Sequence, residues 1–124
     1  GVIMDSQTAD IYNPKVIRST MGAVFRVPFV YVEDLKAALL QLKDHGVHLY
    51  AAHLKGQNSY DQEDYTESTG FLIGNEAQGL SDEIASLADT YVKIPMAGSV
   101  ESLNAAIASS VLMFEVARQR RNQK

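Results

Sequence analysis

Two short segments hold the polar groups best placed for chemistry. The first is Phe71-Leu72-Ile73-Gly74-Asn75-Glu76-Ala77-Gln78-Gly79-Leu80-Ser81. It reads as an apolar strand, a glycine turn bearing the carboxylate of Glu76, and a helix capped by Ser81. Glycine at Gly74 lets a ligand approach the backbone closely, and ligands in open α/β sheets bind beyond the carboxyl ends of strands. The second is Ile94-Pro95-Met96-Ala97-Gly98-Ser99-Val100-Glu101-Ser102-Leu103-Asn104. Here a strand ends, a loop of small residues follows, and Ser102 stands where a long helix is predicted to begin. Unpaired amides at a helix start can meet a carboxylate or an oxyanion, and Asn104 is positioned to orient a neighbour. Each segment also has a plain structural reading: a strand-to-helix turn with a solvated glutamate for the first, and Ser102 as an ordinary N-cap for the second.

Other polar groups point to chemistry less well. His45, His48 and His53 do not form a metal site by spacing. His45 closes a helix, whereas His48 and His53 sit an odd number of residues apart on a strand and so face opposite ways. No metal is expected. The acidic run from Asp61 to Glu67 reads as a solvated loop. The basic tail from Arg118 to Lys124 reads as a frayed helix end complementing the helix dipole, with an RNA contact as the other reading.

These segments need elements to hold them. Val2–Met4 is a short apolar run, predicted as a buried strand. Asn13 and Pro14 form an N-cap and first helical position, and Gly22 ends that helix. Residues 23–32 are rich in β-branched and aromatic residues and read as a strand, with Pro28 marking an edge or an end. Residues 33–45 are an amphipathic helix with Leu35, Ala38, Leu39 and Leu42 on one face and Gly46 as its stop. Residues 47–54 read as the next strand, 55–68 as an exposed loop, 70–73 as a buried strand, and 91–94 as a last short strand. A helix is predicted from Ser102 to about Arg120. Its middle, from Ala105 to Phe114, is apolar or small nearly all round, as in helices buried on more than one side. Strands alternating with helices imply an α/β fold with a mostly parallel sheet and flanking helices.

Bulk properties are compatible with this. The chain has 124 residues, 46% hydrophobic and 21% charged, with a net charge of −4. That is one domain's worth of an ordinary globular composition. Cysteine is absent, which excludes disulfides and thiolate metal sites and suits a cytoplasmic location. No apolar stretch approaches the ~20 residues that a membrane-spanning helix needs. The opening Gly1-Val2-Ile3-Met4 reads as the interior of a strand, so the chain is expected to be part of a longer domain.

In order and spacing the chain resembles the SpoU family of RNA 2′-O-ribose methyltransferases, of the TrmH-like, SPOUT class. Asp10-Ile11-Tyr12-Asn13-Pro14-Lys15-Val16-Ile17-Arg18-Ser19-Thr20-Met21-Gly22-Ala23 is similar to the segment linking that family's first two motifs. Ile73 to Leu80 resembles motif two. Ile94 to Asn104, with the small-residue helix and Arg118-Gln119-Arg120 after it, resembles motif three, the more specific of the two.

The resemblance implies S-adenosylmethionine as cofactor, tRNA or rRNA as substrate, a carboxy-terminal trefoil knot and a homodimer through the last helix. It places the cofactor at Ala52, Gly74, Glu76, Ile94, Met96, Ser102 and Leu103, and polar active-site groups at Glu76, Ser102 and Asn104. It also implies that the family's first motif, with an asparagine and the catalytic arginine, lies upstream of Val2. Residues 1–124 would then be a single partial domain. Two other functions fit the same features: a non-catalytic module for cofactor binding and dimerisation, and a knotted methyltransferase acting on a base nitrogen.

Overall fold

The computed structural model describes residues 1–75, 78–99 and 103–123. The chain forms two compact units, Gly1–Leu39 and Leu40–Lys124. In the first, β1 (Val2–Met4) pairs in parallel with β2 (Phe29–Tyr31), Val2 opposite Phe29 and Met4 opposite Tyr31. The polar stretch between them is pinned by Tyr31, whose hydroxyl accepts from the Ile11 amide at 2.9 Å and donates to the Ala9 carbonyl at 2.8 Å. Helix α1 (Pro14–Ser19) starts as the sequence predicts: Pro14 occupies its first turn, and Asn13 caps it by accepting from the Lys15 amide at 2.9 Å.

The strand expected over residues 23–32 is mostly absent. Ala23–Phe25 is instead a 3-10 turn, and only Phe29–Tyr31 is extended. The cause is local. Met21 and Gly22 both adopt positive φ, 51° and 89°, and the resulting reversal uses the amides of Phe25, Arg26 and Val27 in turns back to Gly22 and Ala23. Those donors are then unavailable to a sheet ladder.

Helix α2 (Leu35–Asp44) opens on Asp34, whose carboxylate accepts from the Ala37 amide at 3.1 Å. It closes on Gly46 at φ 84°, with the Val47 amide reaching back to the Leu42 carbonyl at 3.0 Å.

The second unit is built on a parallel four-stranded sheet in the order β4 (Asn58–Ser59), β6 (Thr90–Lys93), β3 (His48–Ala52) and β5 (Thr69–Leu72). β3 is paired on both sides, and Leu49, Tyr50 and Ala51 are buried. A strand covered on both faces needs this unbroken apolar run rather than an alternating one. A short helix α3 (Asp82–Ala85) precedes β6, capped by Ser81 through the Ile84 amide at 3.2 Å. Helix α4 (Ala105–Arg121) ends the fold.

The segment expected to be an exposed acidic loop is the main departure. It contains β4 and a 3-10 turn at Tyr60–Gln62, and Tyr65 is fully buried. Tyr65 packs edge-on to Tyr50 and Phe71, with ring centroids 5.0 and 5.3 Å away, and joins Val92 and Leu112 in the core. Its hydroxyl donates to the Tyr60 carbonyl. The carboxylates alternate with these aromatic groups, so counting charge alone hides the buried face.

The end of α4 holds this segment in place and is not frayed. Gln119 accepts from the Tyr65 amide at 2.7 Å and donates to the Glu63 carbonyl at 2.8 Å. Arg120 donates to the carbonyls of Tyr65 (3.1 Å) and Glu67 (2.8 Å). Arg118 forms a two-point pair with the buried Glu115, at 2.5 and 3.1 Å.

Asp89 locks the start of β6 to β3. Its carboxylate accepts from the Leu49 amide at 2.8 Å and meets Lys43 at 3.3 Å, while its own amide donates to the Leu49 carbonyl at 2.7 Å. Burial pushes this carboxyl up. The hydrogen bonds from Leu49 and Lys43 and the charges of Lys43 and His48 outweigh that effect and hold it below its usual value. A carboxylate depressed in the folded state contributes stability above its unfolded pKa of about 3.9, and this is lost as pH falls through the folded value. Asp89→Asn is therefore expected to lower stability at neutral pH and to flatten the loss of stability below about pH 4, measured by urea unfolding across pH. An unchanged acid limb would contradict this.

Candidate functional site: a cleft at the carboxyl ends of the parallel strands

Because β3, β5 and β6 run in parallel, their carboxyl ends converge on one edge of the sheet. A cleft of about 460 Å³ lies there, within the range typical of small-molecule sites. Each strand end contributes: Ala52 and His53 at the end of β3, Ile73 and Gly74 after β5, and Lys93 and Ile94 at the end of β6. The fourth wall is the approach to α4 and its first turns, at Leu103, Ala105 and Ala108.

Four of the residues expected to hold a cofactor, Ala52, Gly74, Ile94 and Leu103, are thus brought together. Met96 is half-buried and does not line the cleft. Glu76 and Ser102 lie outside the described residues.

Asn104 is the N-cap of α4. Its side-chain oxygen accepts from the amides of Ala106 at 2.9 Å and Ile107 at 3.3 Å. The capping role expected at Ser102 therefore falls two residues later, where the side chain can reach these amides. Capping sets where α4 begins, and so where Ala105 and Ala108 stand in the cleft wall.

Gly74 is needed for a reason the sequence does not reveal. An added Cβ would overlap the Gly79 carbonyl carbon and the Leu80 amide nitrogen. The loop doubles back on itself, with the Gly79 amide bonded to the Asn75 carbonyl at 2.6 Å and Gly79 at φ 67°. Absence of a side chain at Gly74 serves this chain's own packing first, and any substitution there disturbs the whole turn.

Several lining residues were not assigned to this site from sequence. His53, weighed there only as a metal ligand, is the clearest. Its amide bonds the Val92 carbonyl at 2.9 Å, its ring lies 5.0 Å from that of Tyr91, and its Nδ1 accepts from the Lys55 amide at 3.0 Å. That acceptor role assigns the ring proton to Nε2. The position just past the end of β3 was the available signal. His48 is engaged elsewhere, its Nε2 2.9 Å from the Thr90 hydroxyl, and His45 lies 2.8 Å from the Gln41 carbonyl. Ala105 and Ala108 read from sequence only as small residues in an apolar helix.

Residues 1–114 match the SpoU rRNA Methylase family. The chain belongs to this family. A Staphylococcus aureus protein assigned by name to the TrmH family of tRNA/rRNA methyltransferases is 34% identical over 120 residues, 97% of this chain and 48% of its own length. The SpoU methyltransferase AviRb of Streptomyces viridochromogenes, solved in complex with AdoMet, superposes with a TM-score of 0.88 at 36% identity, covering 100% of this chain and 49% of that one. A solved RNA 2′-O ribose methyltransferase gives a TM-score of 0.84 at 28% identity, covering 97% and 46%. The chain spans about half the length of these SpoU relatives.

On the outer side of α4 lies a second concavity, a broad groove of about 750 Å³ against Tyr60 and Asp61. Its floor includes Ile107, Val111 and Phe114, and Phe114 is 73% exposed. The near-continuous apolar character of the helix middle is therefore only half used within the chain, since Leu112 is its sole buried apolar residue among those described.

Asn104→Ala is expected to cost about 1 kcal/mol, the usual worth of such a cap, measured by urea unfolding. It should also loosen the first turn of α4, detectable as faster amide exchange at Ala106 and Ile107. Unchanged exchange at both would contradict the capping role.

Proposed function

We propose that this chain is the cofactor-binding part of an S-adenosylmethionine-dependent methyltransferase acting on a ribose 2′-hydroxyl of tRNA or rRNA. The observation that carries the reading is the cleft where three parallel strand ends meet the start of α4, in a chain of the SpoU family. The AdoMet complex of AviRb and the 2′-O ribose specificity named for another relative support this choice of cofactor and target group. The cleft suits that cofactor. Ala52, Ile73, Ile94 and Leu103 offer an apolar slot for a purine, and the backbone turn at Gly74 offers polar groups at its edge. The trefoil knot implied by the family resemblance belongs to the same proposal, as does action in the cytoplasm.

The bound cofactor would supply an electrophilic methyl on its sulfonium. The chain's own residues would hold it and orient the acceptor. A ribose hydroxyl is a poor nucleophile, so transfer needs in-line placement and removal of its proton. Glu76, Ser102 and Asn104 are the polar groups assigned to shaping that pocket. The family's catalytic arginine would come from outside residues 1–124. A version of the protein extended upstream is therefore expected to methylate RNA at least about 10²-fold faster than this chain, the usual contribution of general-base assistance. Tritiated S-adenosylmethionine and unmodified total RNA would be the substrates. Label in alkali-resistant dinucleotides marks ribose methylation, whereas label in alkali-released mononucleotides would favour the base-nitrogen reading. Equal incorporation by both proteins would overturn the division of labour.

Cofactor binding by residues 1–124 themselves is tested by filling the cleft. Ala108→Leu adds bulk on the α4 wall while keeping a good helix former. It should lower S-adenosylhomocysteine affinity at least about tenfold, equivalent to roughly 1.4 kcal/mol, without lowering thermal stability. Unchanged affinity by calorimetric titration would show that the cofactor binds elsewhere.

The exposed face of α4 fits a second copy of the chain, paired about a twofold axis. Phe114→Glu should convert a dimer to a monomer by sedimentation at micromolar concentration. A wild-type chain that is monomeric throughout would contradict the dimer.

A further inference from the structure

The stretch from Ile11 to Val32 carries Lys15, Arg18 and Arg26 and no carboxylate, in a chain whose net charge is −4. All three basic side chains are exposed, and among the described residues Arg18 and Arg26 make no ion pair. Between the two arginines the backbone is both fixed and strained. The Met21 amide bonds the Arg18 carbonyl at 3.3 Å, Ala23 bonds Thr20 at 3.0 Å, Phe25 bonds Gly22 at 3.1 Å, and Arg26 bonds Ala23 at 2.9 Å. Met21 sits at φ 51°, the only non-glycine residue at positive φ among those described. A side chain is rarely held in that region without a reason, and here it is not burial: Met21 is 88% exposed and Phe25 84%. Arg26 folds back over the reversal, its Nη2 3.9 Å from where a Cβ on Gly22 would stand. A rigid turn thus presents one thioether, one open aromatic ring and two unpaired guanidinium groups.

We propose that Arg18, Met21, Phe25 and Arg26 form a docking surface for an unpaired stretch of RNA. The guanidinium groups meet phosphates, and a base stacks on Phe25. This rests on the reading of the protein as an RNA methyltransferase. Positive charge concentrated in this one stretch, without a single carboxylate, suits a polyanion. The open ring of Phe25 suits an unpaired strand, because it can stack only on a base free of its own helix. Arginine and aromatic groups together are the usual platform for such strands.

The test is anisotropy titration of this chain with a short fluorescein-labelled single-stranded RNA of mixed sequence, between about 50 and 200 mM salt. A parallel calorimetric titration with S-adenosylmethionine accompanies it. The double variant Arg18→Gln/Arg26→Gln should bind more weakly and lower the slope of log K against log salt by about 1.4, or ~0.7 for each phosphate left without its arginine. Phe25→Ala should bind at least about fivefold more weakly with an unchanged slope. Lys36→Gln, which removes one exposed charge outside this stretch, should alter neither. The surface is overturned if the wild-type chain binds no RNA, if affinity and slope are unchanged in both variants, or if Lys36→Gln weakens binding as much. It is also overturned if the variants differ from wild type in sedimentation, which would make this face an interface between copies. Absence of these RNA effects with S-adenosylmethionine still bound sinks this surface alone. Failure of the wild-type chain to bind S-adenosylmethionine sinks the underlying reading.

Discussion

Parallel pairing of β3 with both β5 and β6 brings three strand ends to one edge of the sheet, and the candidate site exists only because of this alignment. An antiparallel partner would send its loop to the opposite edge and leave the cleft without one of its walls. The alignment depends in turn on β3 being buried on both faces. Leu49 and Ala51 are covered on one side, while Tyr50 packs with Tyr65 and Phe71 on the other. Asp89 fixes the register at the far end, where one carboxylate and one amide both bond to Leu49.

Helix α4 does two things for this sheet. Its first turns, placed by the Asn104 cap, form one wall of the cleft. Its last turns grip the segment that carries Tyr65, through Gln119 and Arg120. The cleft and the aromatic core are therefore linked through one helix. The basic residues at the end of α4 are partly consumed in this work, since Arg118 neutralises the buried Glu115 and Arg120 satisfies two carbonyls.

Much of this was legible in the residues themselves. The caps at Asn13 and Ser81, the stop at Gly46 and the apolar run of β3 follow from local rules, and the structure keeps them. The convergence of Ala52, Gly74, Ile94 and Leu103 was legible only through the family resemblance, because topology brings together residues that are far apart in sequence. What escaped were effects of long-range packing. Tyr65 looks solvated beside Asp64 and Glu63 until α4 supplies partners for its backbone. The run from Ala23 has strand-like side chains but is turned away from the sheet by two residues at positive φ. Gly74 lines the cleft, and its lack of a side chain is also required by the close approach of Gly79 and Leu80.

We propose that the cleft at the strand ends is the cofactor site and that residues 1–124 suffice to form it. Backbone amide spectra of this chain, recorded during titration with S-adenosylhomocysteine, test it most directly. Saturable shifts are expected at Ala52, His53, Gly74, Gly79, Ile94, Leu103, Ala105 and Ala108, with the β1–β2 pair and the exposed face of α4 unmoved. Saturable shifts centred on any other part of the chain, or none at millimolar ligand, would contradict it.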